Sequence, residues 1–456
     1  MPPSTSQNDF IWKAMNLWYY WQTEVADLAD NRFSSHTEYQ NFLNNYAPNE
    51  LFYNLLYDYG TTDRFSWIVN DYRTLQNQFA GINKTFGMDF GLVIQNNSDN
   101  LIGYVQYVLP NSPAANAGLK RGDIFNRVNG TQLTTSNYQS LLSNETLTLT
   151  LAYFENGTLI ETNQQLSLTK VEMQENPIYL TKVIEMGGQK IGYLVYNGFR
   201  ANYNDELNQA MIQLKSQGIQ HLILDLRYNG GGSVQTATYL ASMLTGQFNG
   251  QNFTHLKFNS KTSQNNSTYK FEQIAKQYDD NLNHIGNFPM ENLNLNRITI
   301  LTTGNSASAS EMLVICLEPY IQVETIGTKT YGKTVGSITL YDSHSTYYTS
   351  DENINPNHKI AMQPIVFEYK NAQNQSGPTF GIHPVIEVNE IHYLENLPEL
   401  GDINEPLLGA ALNNILGPIA PKKTISTSQF KQISSSQLLE RFGTEMYLDK
   451  GVDLKP

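Results

Sequence analysis

The sequence is poor in cysteine, in basic charge and in long apolar runs. Its single cysteine, Cys316, excludes an internal disulfide and any metal cluster built on cysteine thiolates. Cys316 sits in the apolar run Leu313 to Leu317, so it reads as a small packed core residue rather than a reactive thiol. The eight histidines show no HExxH or comparable ligand spacing, and neither a metal nor another cofactor is expected. Lysine and arginine number 29 against 42 aspartate and glutamate, a net charge of −13. Nucleic acid and anionic membrane both call for clustered basic residues, so neither is expected as a partner. No stretch approaches the roughly 18 apolar residues of a membrane span. Met1 to Ser6 has neither the basic nor the apolar region of a signal peptide.

What is present points to several domains. A chain of 456 residues with 40% hydrophobic content has room for two or three cores. In residues 9 to 30, Ile11, Met15, Trp18, Val25 and Leu28 recur at helical spacing, and the pattern repeats from Tyr39 to Leu56. Residues 1–83 therefore read as a helical domain. From 84 the character changes: Phe90 to Ile94, Leu101 to Val108 and Leu147 to Phe154 read as strands, with a turn at Asn129-Gly130, giving a β-rich domain over 84–160. Glu172 to Gly188 reads as a connector. Beyond it a strand at Lys190 to Phe199, a helix through Leu207, Met211 and Leu214, a buried strand at Ile219 to Leu226 and a helix from Val234 to Leu244 alternate. That alternation implies an α/β domain over 161–420. Residues 246 to 296 are polar and aperiodic and read as loops and short elements; 421–456 reads as a tail, packed as one helix or mobile.

The stretch 299 to 333 organises the rest. Thr299 to Leu301 reads as a strand, Gly304-Asn305 as a tight turn, and Ala309 to Leu317 as a helix entered through a Ser-Ala-Ser-Ala-Ser-Glu run. Such a strand, loop and helix N-terminus holds a hydroxyl beside unpaired N–H groups that can meet a developing negative charge. A further strand at Ile321 to Thr325 brings Lys333 back to the same sheet edge after a right-handed crossover. Ser308 and Glu311 also have the spacing of a capping box, which on its own is the commoner meaning. A lysine acting as base must be neutral, and lowering its pKa from about 10.4 to about 7 or 8 requires roughly 4 kcal/mol from burial. The triple glycine at 230 to 232 lacks the spacings of the common phosphate loops. Ser267-x-x-Lys270 and Ser428-x-x-Lys431 lie in polar tracts, and nothing near His383 forms a GxSxG elbow.

Three motifs in one order carry a family resemblance: SPAANAGLKRGD at 112 to 123, DLRYNGGG at 225 to 232, and SASASE at 306 to 311 followed by Tyr-Gly-Lys at 331 to 333. Together they resemble the carboxyl-terminal processing, or tail-specific, serine peptidases of family S41, over about residues 84 to 415. The resemblance implies a multidomain α/β protein: an N-terminal helical domain, a PDZ-like β-rich domain and an α/β protease core resembling the Clp/crotonase-type sheet. It implies Ser308 as nucleophile, Lys333 as general base, and an oxyanion hole from Gly230 or Gly231 with Ala309. It places a PDZ peptide-binding loop at Met88, Asp89, Phe90, Gly91 and Leu92, for polypeptide substrates held by their C-terminal segment. Many members carry a glutamine four residues after the lysine; here Ser337 stands there, as a candidate for orienting the amine. Family members generally work in the cell envelope, so export is expected. A peptide-binding protein that has lost turnover, and an enzyme acting on acyl thioesters, are the alternatives.

Overall fold

The computed structural model describes residues 3–95, 98–344, 347–417, 430–449 and 454–455. Its organising sheet has six strands in the order Ile178–Met186, Gln189–Tyr196, His221–Asp225, Arg297–Thr302, Gln322–Gly327 and Ile386–Glu387. The first pair is antiparallel and the others are parallel. Leu222, Ile223, Ile300 and Leu301 are fully or almost fully buried, as the apolar runs of a two-sided parallel sheet require. Helices Asn204–Ser216, Val234–Thr245, Ala309–Leu317 and Pro406–Leu416 supply the cover. The two chemistry-bearing loops, 226 to 233 and 303 to 308, leave adjacent parallel strands at their C-terminal ends, where a parallel sheet gathers its sites.

A second sheet, in the order Gly232–Ser233, Met446–Tyr447, Val335–Ser337, Ile365–Asn371, Asn252–Phe258 and Ser267–Lys270, packs on helices Val234–Thr245 and Ala309–Leu317. The β-rich domain forms a separate sheet with its own core around Leu92, Val105, Phe125 and Leu149. N-terminal helices Pro3–Trp18, His36–Asn44 and Pro48–Asn54 share one apolar core with the α/β domain, and strand Trp67–Val69 pairs with Ala361–Gln363. Among the described residues, no helix is long and apolar enough to cross a membrane.

Several local expectations change. The helix through residues 9 to 30 stops at Trp18, because the Tyr20 N–H bonds to Ile365 O at 2.8 Å and leaves the helical ladder. The expected connector at 172 to 188 is instead strands Val171–Gln174 and Ile178–Met186. These take up the sheet edges offered by Ile82–Thr85 and Gln189–Tyr196. Strand Thr158–Thr169 runs through residue 160, extending the β-rich sheet. Polar residues 246 to 296 contain strands such as Asn252–Phe258, whose alternating burial hides Phe253, Leu256 and Phe258 while Lys257 faces outward. Met88 to Leu92 is not a loop but part of strand Met88–Gln95. The described tail is not one helix: Phe430–Ser435 and Met446–Tyr447 are strands flanking short helical turns, and residues 421–429 lie outside the described residues.

The β-rich domain is joined to the glycine loop by buried charge. Arg121, from the SPAANAGLKRGD run, contacts Glu390 at 2.9 Å and Glu405 at 3.2 Å. Arg227, from the DLRYNGGG run, donates to Glu405 at 2.9 Å and lies 2.8 Å from Asp225. Tyr228 donates to Glu390 at 2.7 Å. Burial pushes the Glu405 carboxyl up, but Arg227 and Arg121 outweigh it and hold it below the usual carboxylate range. Removing one partner strands the others without water. Arg227→Ala is accordingly expected to lower unfolding stability by about 3–5 kcal/mol in urea titration. A loss below about 1 kcal/mol would show that the cluster does not hold this junction.

Candidate active site

Ser308 is the N-cap of helix Ala309–Leu317, with φ 64° and ψ −114°. A non-glycine residue in that half of conformational space costs on the order of 1–3 kcal/mol and persists only where its surroundings fix it. The Glu311 carboxylate does the fixing. Its Oε2 accepts the Ser308 N–H and the Lys333 N–H, each at 2.8 Å. Its Oε1 accepts the Gly332 N–H at 2.8 Å and the Thr330 hydroxyl at 2.5 Å. One buried side chain thus holds the backbones at both Ser308 and Lys333, residues separated by the whole crossover. Burial raises the Glu311 pKa, and the four donors oppose that rise.

Only one arm of the expected capping box forms, from Glu311 back to Ser308. The Ser308 hydroxyl is completely buried and has no hydrogen-bond partner among the described residues. That frees the oxygen for chemistry.

A second set of bonds sews the glycine loop to the serine loop. The Ser306 hydroxyl donates to Leu226 O at 2.7 Å, the Ala307 N–H to Asn229 O at 3.1 Å and the Ser310 hydroxyl to Asn229 O at 2.9 Å. Gly231 has φ 108°, and a Cβ there would lie 2.7 Å from Ser308 Cβ and 2.4 Å from Glu445 O, so only glycine fits. Of the expected oxyanion donors, the Gly231 N–H is committed to Asn229 Oδ1 at 2.9 Å. The N–H groups of Gly230 and Ala309 have no acceptor among the described residues.

Lys333 is fully buried. Desolvation holds its amine below the ordinary lysine range, although the Glu445 carboxylate works against that shift. The amine donates to Thr444 O at 2.7 Å, stands 3.4 Å from Glu445 Oε2 and lies 5.0 Å from the centre of the Phe65 ring. The same burial raises the Glu445 pKa, so the pair is pushed toward its neutral forms. Ser337 does not touch the amine. Its hydroxyl reaches Glu445 Oε2 at 3.2 Å, the oxygen that Lys333 approaches. The side chains of Ser308 and Lys333 make no hydrogen bond to each other.

The site contains residues that local sequence signals did not single out. Asn229 was visible inside the glycine motif, and Glu311 was visible only as a cap. Thr444 and Glu445 carried no signal, because a polar tail has no periodicity to read. Met88, Asp89 and Phe90 line one cavity with Gly230 and Gly231, and the sheet edge they belong to is filled: Phe430–Ser435 pairs with Met88–Gln95, and the Phe90 N–H donates to the Ser436 hydroxyl at 3.0 Å. No group of three or more histidine, cysteine or acidic side chains arranged to hold a metal occurs among the described residues.

Comparison with known proteins bears on the domains and the fold. The model of Peptidase family S41 matches residues 190–366, that of the Peptidase S41 N-terminal domain residues 6–67, and that of a PDZ domain residues 104–152. Residues 6–67 and 190–366 are thus the two S41 regions of the chain. Two relatives bear the name "Probable CtpA-like serine protease". The one from Staphylococcus epidermidis is 26% identical over 227 residues, 49% of this chain and 41% of its own length. The one from Staphylococcus aureus is 25% identical over 264 residues, 57% of this chain and 48% of its own. The matched region thus spans less than half the length of these curated relatives. Among solved structures, an S41 protease from Bacteroides fragilis is 26% identical with a TM-score of 0.69, covering 89% of this chain and 97% of its own. A photosystem II D1 C-terminal processing protease shares the fold at 17% identity and a TM-score of 0.50, covering 87% and 95%.

Glu311→Gln keeps the shape of the clamp but turns an amide NH₂ toward backbone donors. It is expected to lower unfolding stability by about 2–4 kcal/mol in urea titration. An unchanged midpoint would mean that the four donors are satisfied without the carboxylate.

Proposed function

We propose that this S41 chain is a serine-type peptidase that cleaves polypeptides through an acyl-enzyme, with Ser308 as nucleophile and Lys333 as general base. One observation carries the proposal: a buried, unpartnered serine hydroxyl at a strained helix N-terminus, tied through Glu311 to a buried lysine of depressed pKa. These are the two groups that a serine–lysine mechanism needs, the hydroxyl free and the amine able to lose its proton.

In the proposed reaction the neutral Lys333 amine takes the Ser308 proton as Oγ attacks the scissile carbonyl. The Gly230 and Ala309 N–H groups, which lack described acceptors, receive the oxyanion. The lysine then returns the proton to the leaving amine, and water releases the acyl group by the reverse relay. The Lys333 amine has to come within hydrogen-bond reach of Ser308 Oγ for this sequence to begin. The PDZ domain would present the substrate by strand addition along Met88–Gln95, its C-terminal segment leading. The division at about residues 83 and 420, with the β-rich unit continued past 160 to the end of strand Thr158–Thr169, and export to the cell envelope belong to the same proposal.

A second possibility is a binding protein that has lost turnover. It is favoured by Ser337, whose hydroxyl holds Glu445 rather than the lysine amine.

Cleavage of an unfolded protein such as reduced casein tests the two. The parent is expected to cleave it, and Ser308→Ala and Lys333→Ala are each expected to lower the rate about 10³-fold while remaining folded. A parent that binds C-terminal peptides without cutting them would favour the binding protein.

A further inference from the structure

The groove beside Ser308 is already filled, and by this chain itself. Phe430–Ser435 adds an antiparallel strand to the PDZ sheet, with Phe430 opposite Gln95 and Ser435 opposite Gly91. The Phe430 ring packs 5.2 Å from Phe154. The segment then grips the turn before the serine: the Ser435 hydroxyl donates to Asn305 Oδ1 at 3.0 Å and Gln437 Nε2 to Asn305 O at 2.7 Å. Gly443 crosses the glycine loop so closely that its carbonyl oxygen would lie 1.8 Å from a Cβ at Gly230. Phe442 is 5% exposed, in a pocket of Trp67, Leu75 and Phe79 that Tyr447 of the same segment closes. Past Ser308, Glu445 O accepts the Gly232 N–H at 2.6 Å, and Met446–Tyr447 runs parallel to Gly232–Ser233.

This path joins the PDZ sheet edge to the catalytic loops in a single line, as a polypeptide substrate would have to run. The segment is nevertheless held out of register for cleavage. Its Thr444 carbonyl takes the Lys333 amine and its Glu445 carbonyl takes the Gly232 N–H, while the Gly230 and Ala309 N–H groups receive neither. Glu445 also sets its carboxyl group beside the base, held there by the Trp67 indole N–H at 3.0 Å and the Ser337 hydroxyl.

We propose that residues 430–447 are an intramolecular occupant of the substrate groove, which an incoming polypeptide must displace strand for strand, filling the Phe442 pocket with an aromatic side chain of its own. This rests on the peptidase reading of Ser308 and Lys333. The segment blocks the groove mechanically and also occupies the base. Substrate affinity is then set by competition with a tethered peptide, present at millimolar effective concentration.

Binding can be tested without turnover, in full-length protein carrying Ser308→Ala. The probe is a fluorescein-labelled peptide with the sequence of residues 430–447. Adding Phe442→Asp, which puts a carboxylate in the aromatic pocket, is expected to raise the affinity for the probe at least tenfold. A probe with alanine in place of its own phenylalanine at the Phe442 position should lose most of that gain.

As a second variant, Ile94→Cys with Lys431→Cys, facing partners in the added strand, would pin the segment. Cys316 is buried and its thiol pushed up to about 12 by desolvation, so it does not compete for oxidation. With Phe442→Asp also present, this protein should bind the probe weakly when oxidised and at least tenfold more tightly when reduced. Unchanged affinity in a folded Phe442→Asp protein, or equal affinity in the two redox states, would overturn the proposal.

With Ser308 restored, Phe442→Asp should speed casein cleavage about tenfold. Gained probe binding without any cleavage supports the occupied groove and counts against the peptidase reading. Cleavage with unchanged probe binding does the opposite.

Discussion

The site depends on one buried carboxylate. Glu311 is 2% exposed, and placing a charge there is costly unless each oxygen is satisfied. Three backbone N–H groups and the Thr330 hydroxyl meet that need, and they come from both ends of the crossover between adjacent strands. The carboxylate therefore turns its own desolvation into a positional constraint. Residue 308 can stay at positive φ, and the loop carrying Lys333 can lie against the helix N-terminus, only while Glu311 binds both. The hydroxyl is left free because the carboxylate, rather than the serine side chain, makes the cap.

Two further layers rest on this clamp. Asn229 and the hydroxyls of Ser306 and Ser310 lock the glycine loop to the serine loop, so the N–H groups of Gly230 and Ala309 share one rigid frame. Behind that frame, Arg227 and Arg121 share Glu390 and Glu405, and Arg121 belongs to the PDZ domain. A shift of the PDZ domain must move or break a cluster whose other members abut the glycine loop. A physical route thus runs from the PDZ sheet to the loop beside Ser308.

The parts of this arrangement that local chemistry dictates were legible in the sequence. Helix Ala309–Leu317 and strands Leu101–Val108 and Arg297–Thr302 follow from apolar runs bounded by turn residues, and the structure has them close to where the pattern put them. The motif order sets Ser308 and Lys333 in one expectation, and the backbones of both meet on Glu311. What could not be read were contacts between residues far apart in sequence. The capping spacing of Glu311 was visible, but its hold on Gly332 and Lys333 depends on how the crossover returns. Strand Ile178–Met186 reads as part of a connector because most of it is half-exposed and Thr181, Lys182 and Glu185 break its apolar run, whereas its partner Gln189–Tyr196 is legible as a strand. The final segment carried no amphipathic pattern, since its partners are sheet edges that accept backbone groups of almost any sequence. Ser337 was assigned to the lysine because only the motif was in view, and its acceptor Glu445 lies 108 residues away.

The most direct test of the central claim is the rate at which Ser308 is modified by a fluorophosphonate, followed by mass spectrometry as a function of pH. A buried lysine whose pKa is depressed by desolvation loses its proton as pH rises through a value below the ordinary lysine figure of about 10.4. The account predicts an adduct on Ser308 whose formation rate climbs with pH and levels off well below that figure, and which Lys333→Ala abolishes across the range. Modification of Ser308 at the same rate and with the same pH profile in Lys333→Ala would contradict it.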